Sequence, residues 1–400
     1  MTEIRNTQFD RTINVNRIIG HVKGSKPGPT VILVGGMHGN ENSGVFALHQ
    51  VINELQVAKT LIRGNIYALC GNMAALESGE RYCKQDLNRM WTYEGIEALL
   101  EDNIDNENPE AHEFRDLYRV IQEILKTEVG PFYFMDLHTT SSESIPFVMV
   151  NDSLVNRKFT TQYPVPMILG IEEYLDGALL SYINDLGYVA FGYEAGQHDD
   201  LASLGNQIAF VYLSLVFTGV IDKEDVDYYH YYEQLAKTSI NSRDIYEIVH
   251  RCKIDNGDDF LMKPGFVNFQ KVQKGQLLAI RKQEKVAASY TGRIFMPLYQ
   301  SQGRDGFFEI RKIKKVFLHL SEVLRHTKFD HILPFLPGIR WQSKKHDTML
   351  VNLKIARFFT KPFLHLLGYR SKVLDKSHLI IRNRDAASRE HEYEDAHWSN

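Results

Sequence analysis

The chain has 400 residues, 44% of them apolar and 24% charged, with a formal net charge of −4. That length exceeds one minimal domain and predicts two, with room for an appendage. The composition is that of an ordinary soluble globular chain, and no nucleic-acid partner is expected. Cys70, Cys83 and Cys252 are too few and too scattered for a disulfide framework and suit a reducing compartment. The first twenty residues have no apolar core of a signal peptide, and no run of eighteen apolar residues occurs, so a cytoplasmic protein is expected. The charge is unevenly spread. From Arg311 onward there are 18 Lys+Arg against 9 Asp+Glu, whereas the preceding 310 residues hold 28 against 41.

In chain order, "TVILVGG" is an apolar run that ends in glycine, as a buried parallel strand would. Val45, Leu48, Val51, Ile52 and Leu55 then recur at helical spacing. "GNIYALCGN" predicts a strand, "AHEFRDLYRVIQEILKTEV" an amphipathic helix, and "PFYFMDLH" and "GYVAFGYEAG" two more strands. "ASLGNQIAFVYLSLVFTGV" predicts a largely buried helix. This alternation predicts an α/β layered domain over residues 1–240. Short strand candidates separated by Gly and Lys-Gly turns follow ("YEIVHRCKI", "GFVNFQKV", "QLLAIRK", "GRIFMPLY") and predict a small β domain over 241–315. Residues 316–400 are basic and aromatic and are expected to be helical in pieces.

Chemistry-bearing residues cluster at the predicted strand ends. The bend "GGMHGNE" after the first strand lacks the spacing of a dinucleotide loop or a P-loop, so a phosphate cradle is not expected. A tight turn and a metal pair, His38 with Glu41, both remain open from the bend alone. His138 lies just past another strand, and ligands of open α/β sheets bind outside the carboxyl ends of strands. Two imidazoles and one carboxylate make a catalytic zinc set with an open position. Asp136, two residues before His138, either orients that imidazole or caps the strand. "RYCKQDLNRMW" holds Arg81, Asn88 and Arg89, a pattern that either grips a carboxylate with forked hydrogen bonds or is a solvated loop. Glu194 in "FGYEAGQH" is either a general base or an exposed strand-end carboxylate.

The four motifs together, "GGMHGNE", "RYCKQDLNR", "DLHTTSS" and "YEAGQH", resemble the succinylglutamate desuccinylase/aspartoacylase family, which belongs with the zinc carboxypeptidases. The resemblance covers roughly residues 30–310. It implies a mixed, doubly covered sheet with a smaller C-terminal β domain over the site. It implies one zinc per chain held by His38, Glu41 and His138. Arg81 then polarises the scissile carbonyl, Asn88 and Arg89 bind a substrate carboxylate, and Glu194 is the catalytic base. Two departures stand out. "LDGALLSYINDLG" lacks the further substrate-binding arginine of aspartoacylases, and Phe307 and Phe308 stand about where those enzymes place a tyrosine. N-acetylaspartate is therefore a doubtful substrate, with Arg304 or Tyr299 as candidate replacements for binding.

The expected function is zinc-dependent hydrolysis of the amide bond of an N-acyl amino acid that bears a carboxylate. A carboxypeptidase acting on a small peptide or conjugate is the alternative within the same chemistry. A metal-containing scaffold docked through its basic extension is the alternative from another class, and intact Glu194 and Arg81 argue against it. "MLVNLKIARFFTKPFLHLLGYR" (349–370) reads as two short basic helices. Packing of their aromatic faces on the body or on a second subunit is preferred there over contact with a membrane.

Overall fold

Alternating apolar residues sort the central strands onto two faces. Val31 and Leu33 of the Lys26–Gly35 strand, with Tyr133, Met135 and Leu137 of the Phe132–Thr140 strand, join one core. Ile32, Val34, Phe132 and Phe134 point the other way into a second. Helices Ser43–Val57 and Leu201–Phe217 cover the first face, and helix Pro109–Thr127 with the Leu179–Asp185 helix covers the second. A sheet apolar on both faces needs helices on both, which is why these strands read as continuous hydrophobic runs. The computed structural model describes all residues except 59, 199, 256, 328, 344–346, 357–360, 376 and 400.

The main sheet has eleven strands. Its centre is parallel: Lys26–Gly35 pairs with Arg63–Cys70 on one side and Phe132–Thr140 on the other, and Phe132–Thr140 pairs with Val189–Gln197. In that register His138 lies opposite Glu194. Antiparallel partners, Ile18–Lys23 and Phe147–Val150, make the sheet mixed. The Ile245–Lys253 strand pairs in parallel with Met167–Leu169, so residues 241–315 continue this sheet. Within that segment only Phe260–Met262, Leu277–Arg281 and Glu284–Ala287 form a sheet of their own. "GFVNFQKV" contributes just the two-residue strand Lys271–Val272.

The extension differs from its helical expectation. It holds the helix Lys315–His326 and a short helix Lys361–Leu366, and also a four-stranded antiparallel sheet ordered Ile339–Trp341, Thr348–Asn352, His378–Asn383, Tyr369–Asp375. The reason is visible in "TMLVN" and "HLIIRN": Met349, Val351, Leu379 and Ile381 alternate into one small core, with period two rather than 3.6. Of the 349–370 stretch, Met349, Val351, Leu364, Leu367 and Tyr369 are buried in that core, while residues 357–360 lie outside the described residues.

Two devices fasten the extension to the main body. Buried Asp152 receives Arg157, Arg325 and Arg384, and Arg384 also reaches Glu172 and Glu173. Burial alone would raise the Asp152 carboxyl, but Arg157, Arg325 and Arg384 together hold it well below the usual carboxylate range. At the far end of the chain, Tyr393 and Trp398 enter the main core. The Tyr393 hydroxyl donates to the Phe132 carbonyl at 2.6 Å and accepts from the Val189 amide at 2.9 Å. It thereby bridges strands on which His138 and Glu194 lie. Replacing Tyr393 by Phe orphans a buried amide and a buried carbonyl. A stability loss of about 1–3 kcal/mol is expected in denaturant unfolding.

Candidate active site

The bend after Lys26–Gly35 is tight because Gly39 lies against the Ala75 carbonyl, 1.9 Å from where a side chain would begin. The amide of Glu41 closes it onto the His38 carbonyl at 3.1 Å. His38, Glu41 and His138, each at most 5% exposed, thus face one another at the carboxyl ends of neighbouring parallel strands. Glu41 Oε1 accepts from His38 Nδ1 (2.8 Å) and Arg81 Nη1 (3.2 Å), and its Oε2 accepts from His138 Nδ1 (2.9 Å) and the Thr139 amide (3.1 Å). The outer nitrogens are also held: His138 Nε2 by Asp136 at 2.7 Å and His38 Nε2 by Asp86 at 3.2 Å. Both imidazoles therefore turn Nδ1 toward the shared centre and Nε2 toward an aspartate, the arrangement that orients metal-binding histidines.

The charge balance fits a cation. Glu41, Asp86, Asp136 and Glu194 face the guanidiniums of Arg81 and, at Asp86, Arg89, together with two imidazoles. Burial would lower the His138 pKa, but Asp136 and Glu41 hold it well above its ordinary value. Burial pushes the Glu194 carboxyl well above its usual range, and neighbouring Glu41 adds to this; its Oε2 has no hydrogen-bond partner. Among the described residues, His38, Glu41 and His138 are the one His/Cys/Asp/Glu group whose ligand atoms all lie within 4.8 Å. Two nitrogens and a carboxylate oxygen are donors that zinc accepts.

These residues line one cleft of about 450 Å3 together with Asn88, Arg89 and Arg304. Asp86 caps the short turn Leu87–Arg89 by accepting from the Asn88 amide at 2.9 Å. The Asn88 Oδ1 accepts from the Leu179 amide at 2.9 Å, and its Nδ2 has no hydrogen-bond partner among the described residues. Gly177, at φ +75°, backs this turn. A side chain there would begin 2.3 Å from the Arg89 carbonyl oxygen. Arg304 is exposed at the cleft rim. Tyr299 is not in the cleft: its hydroxyl donates to the Lys263 carbonyl at 2.8 Å and accepts from the Phe266 amide at 3.0 Å, bracing a loop. Phe308 lines the cleft, whereas Phe307 is buried in the neighbouring small core.

Three residues had not been singled out for the site. Asp86 grips His38 and Arg81, and its only sequence signal was its place between two arginines. Arg251 reaches the cleft from the Ile245–Lys253 strand and pairs with Asp305 at 2.5 Å, and Arg89 approaches the same carboxylate at 3.5 Å. No local pattern links positions 89, 251 and 305. Strand pairing brings Lys253 opposite Asp305 and so joins the last two.

Residues 27–215 match the family model described as the succinylglutamate desuccinylase/aspartoacylase catalytic domain. The domain of residues 27–215 belongs to this family. It is 26% identical over 165 residues to a succinylglutamate desuccinylase of Photorhabdus laumondii, covering 39% of this chain and 48% of that one. It is 33% identical over 119 residues to an N-acyl-aromatic-L-amino acid amidohydrolase (carboxylate-forming) of Xenopus laevis, covering 30% and 36%. The chain thus spans less than half the length of these curated relatives. The fold is that of a succinylglutamate desuccinylase from Vibrio parahaemolyticus, with TM-score 0.55, 12% identity, and coverage of 74% of this chain and 86% of that one. It is also that of the ectoine utilization protein EutE from Ruegeria pomeroyi, with TM-score 0.52, 17% identity and coverage of 74% and 88%.

Substituting His38, Glu41 or His138 by Ala removes one of three converging donors. Each variant is expected to lose its zinc, measured by elemental analysis after dialysis against a weak chelator. Full zinc in all three would exclude this group as the metal site.

Proposed function

We propose that the protein is a zinc-dependent hydrolase that cleaves the amide bond of an N-acyl amino acid. The observation that carries this reading is the register of His138 opposite Glu194. It sets a buried carboxyl with an unpartnered oxygen beside the His38–Glu41–His138 group. Zinc, when bound, supplies a Lewis acid and lowers the pKa of a coordinated water toward ~7. Glu194 takes the proton of the attacking water and returns it to the leaving amine. Arg81 stabilises the oxyanion of the tetrahedral intermediate. Its bonds to Glu41 and Asp86 are long, at 3.2 and 3.4 Å, and its buried Nε–H has no partner, so the group has donors to spare. The Asn88 Nδ2 and the Arg89 guanidinium bind a substrate carboxylate. Arg251, held beside Arg89 by their shared Asp305, adds a second guanidinium to that wall and stands in for the arginine that "LDGALLSYINDLG" lacks. A cleft of about 450 Å3 suits a small acyl amino acid.

The direct test is turnover of a panel of N-acyl amino acids and dipeptides by zinc-loaded protein. Hydrolysis of the acyl amino acids is expected, whereas preference for dipeptides would favour the carboxypeptidase reading. Glu194→Gln should keep fold and zinc and lose about a thousandfold in kcat, and near-normal turnover would remove Glu194 as the base.

The arginine wall predicts a different signature. Arg89→Ala and Arg251→Ala should each raise KM by about tenfold or more for a substrate with a free carboxylate. An amidated analogue should be affected far less. Equal losses on both substrates would make the two guanidiniums structural.

A further inference from the structure

The helix Lys315–His326 has two apolar stripes. Leu318, Ser321, Leu324 and Arg325 face inward: Leu318 and Leu324 pack on the main and extension cores, and Arg325 reaches Asp152. Val316, Leu320 and Val323, spaced i, i+4, i+7, form a second stripe on the outside with Phe317 beside it. These four are 64, 42, 43 and 52% exposed, respectively. A helix that only covers a core shows one apolar stripe and a polar outer face.

The outer stripe does not stand alone. The turn Phe329–Phe335 packs against this helix and adds exposed Ile332 and Phe335, with Leu336 following it. Exposed Ile355 abuts Gly338 next to them. Of the 22 large apolar side chains that are exposed among the described residues, eight lie within residues 316–355. That concentration marks an interaction surface rather than scattered exposure.

Charge selects the occupant. Residues 311–356 hold ten Lys+Arg against three Asp+Glu; without Arg325, which is buried against Asp152, the balance is +6. Arg311 and Lys312 pair with Glu247 and Asp244, whereas Lys314 and Lys315, at the start of the helix, are exposed and have no carboxylate partner among the described residues. A symmetric dimer would set this patch against its own copy, positive against positive. An anionic lipid surface satisfies both features: apolar side chains enter the headgroup boundary while lysines meet the phosphates. We propose that the outer face of helix Lys315–His326, with Ile332, Phe335, Leu336 and Ile355, docks the protein on an anionic membrane surface. No described helix is long and apolar enough to cross a membrane, so this docking is peripheral.

The test is co-sedimentation of the full-length protein with phosphatidylcholine vesicles, with and without about 30% phosphatidylserine. Binding is expected to the anionic vesicles only, and to weaken as salt is raised. F317D/L320D and K314E/K315E should each weaken it by about tenfold or more, with unchanged solution mass, melting temperature and catalytic turnover. Three results would overturn the proposal. The protein could stay in the supernatant with anionic vesicles at low salt. Both variants could bind as the parent does. Light scattering could show a dimer that F317D/L320D splits, which would assign the surface to a second copy.

Discussion

Four carboxylates converge where the central parallel strands end, and the site depends on how that negative charge is held. Glu41 sits at the middle, each of its oxygens taking two donors. Asp86 and Asp136 stand behind the two imidazoles, and Glu194 lies across from His138. In so buried a place uncompensated carboxylates repel strongly and are costly to desolvate. The guanidiniums of Arg81 and Arg89 and the two imidazoles partly offset them. A divalent cation held by His38, Glu41 and His138 would complete the balance.

The parts legible in the sequence are those in which local pattern and chemistry coincide. The runs ending at Gly35, His138 and Gln197 are apolar on both faces, so they read as central strands. Their polar successors must then meet at one edge, because parallel strands place their carboxyl ends together. This suffices to bring His38, Glu41, His138 and Glu194 into one site. Arg251 and Asp305 were not legible because their role arises from pairing between strands more than fifty residues apart. Tyr299 was misjudged for a similar reason: nearness in sequence to the cleft-lining Leu298 and Gln300 does not decide which way a loop side chain turns. In the extension, aromatic and basic composition suggested helices, but the alternation at Met349, Val351, Leu379 and Ile381 was the stronger signal.

The extension is better understood as part of the catalytic body than as an appendage. Its last residues supply Tyr393 and Trp398 to the main core, and its Arg325 and Arg384 are buried against Asp152, Glu172 and Glu173. A buried ionic cluster of this kind adds little net stability, since desolvation offsets attraction. Its effect is on geometry: the docked extension sets Arg325 beside Asp152 and Arg384 beside Asp152, Glu172 and Glu173.

The segment 170–179 connects that docking to the cleft. Its Glu172 and Glu173 pair with the extension's Arg384, and its Asp176 meets Arg370 of the extension at 3.1 Å. On its other side Leu175 and Asp176 line the cleft, and the Tyr174 carbonyl accepts from Arg251. Gly177 packs on the Arg89 carbonyl, its own carbonyl accepts from the Trp91 amide at 3.0 Å, and the Leu179 amide donates to Asn88. The loop therefore touches Asn88, Arg89 and Arg251, the three residues assigned to the substrate carboxylate, and contributes no cationic side chain itself. It sets the spacing between Arg89 and Arg251 from behind, and the extension holds it in place.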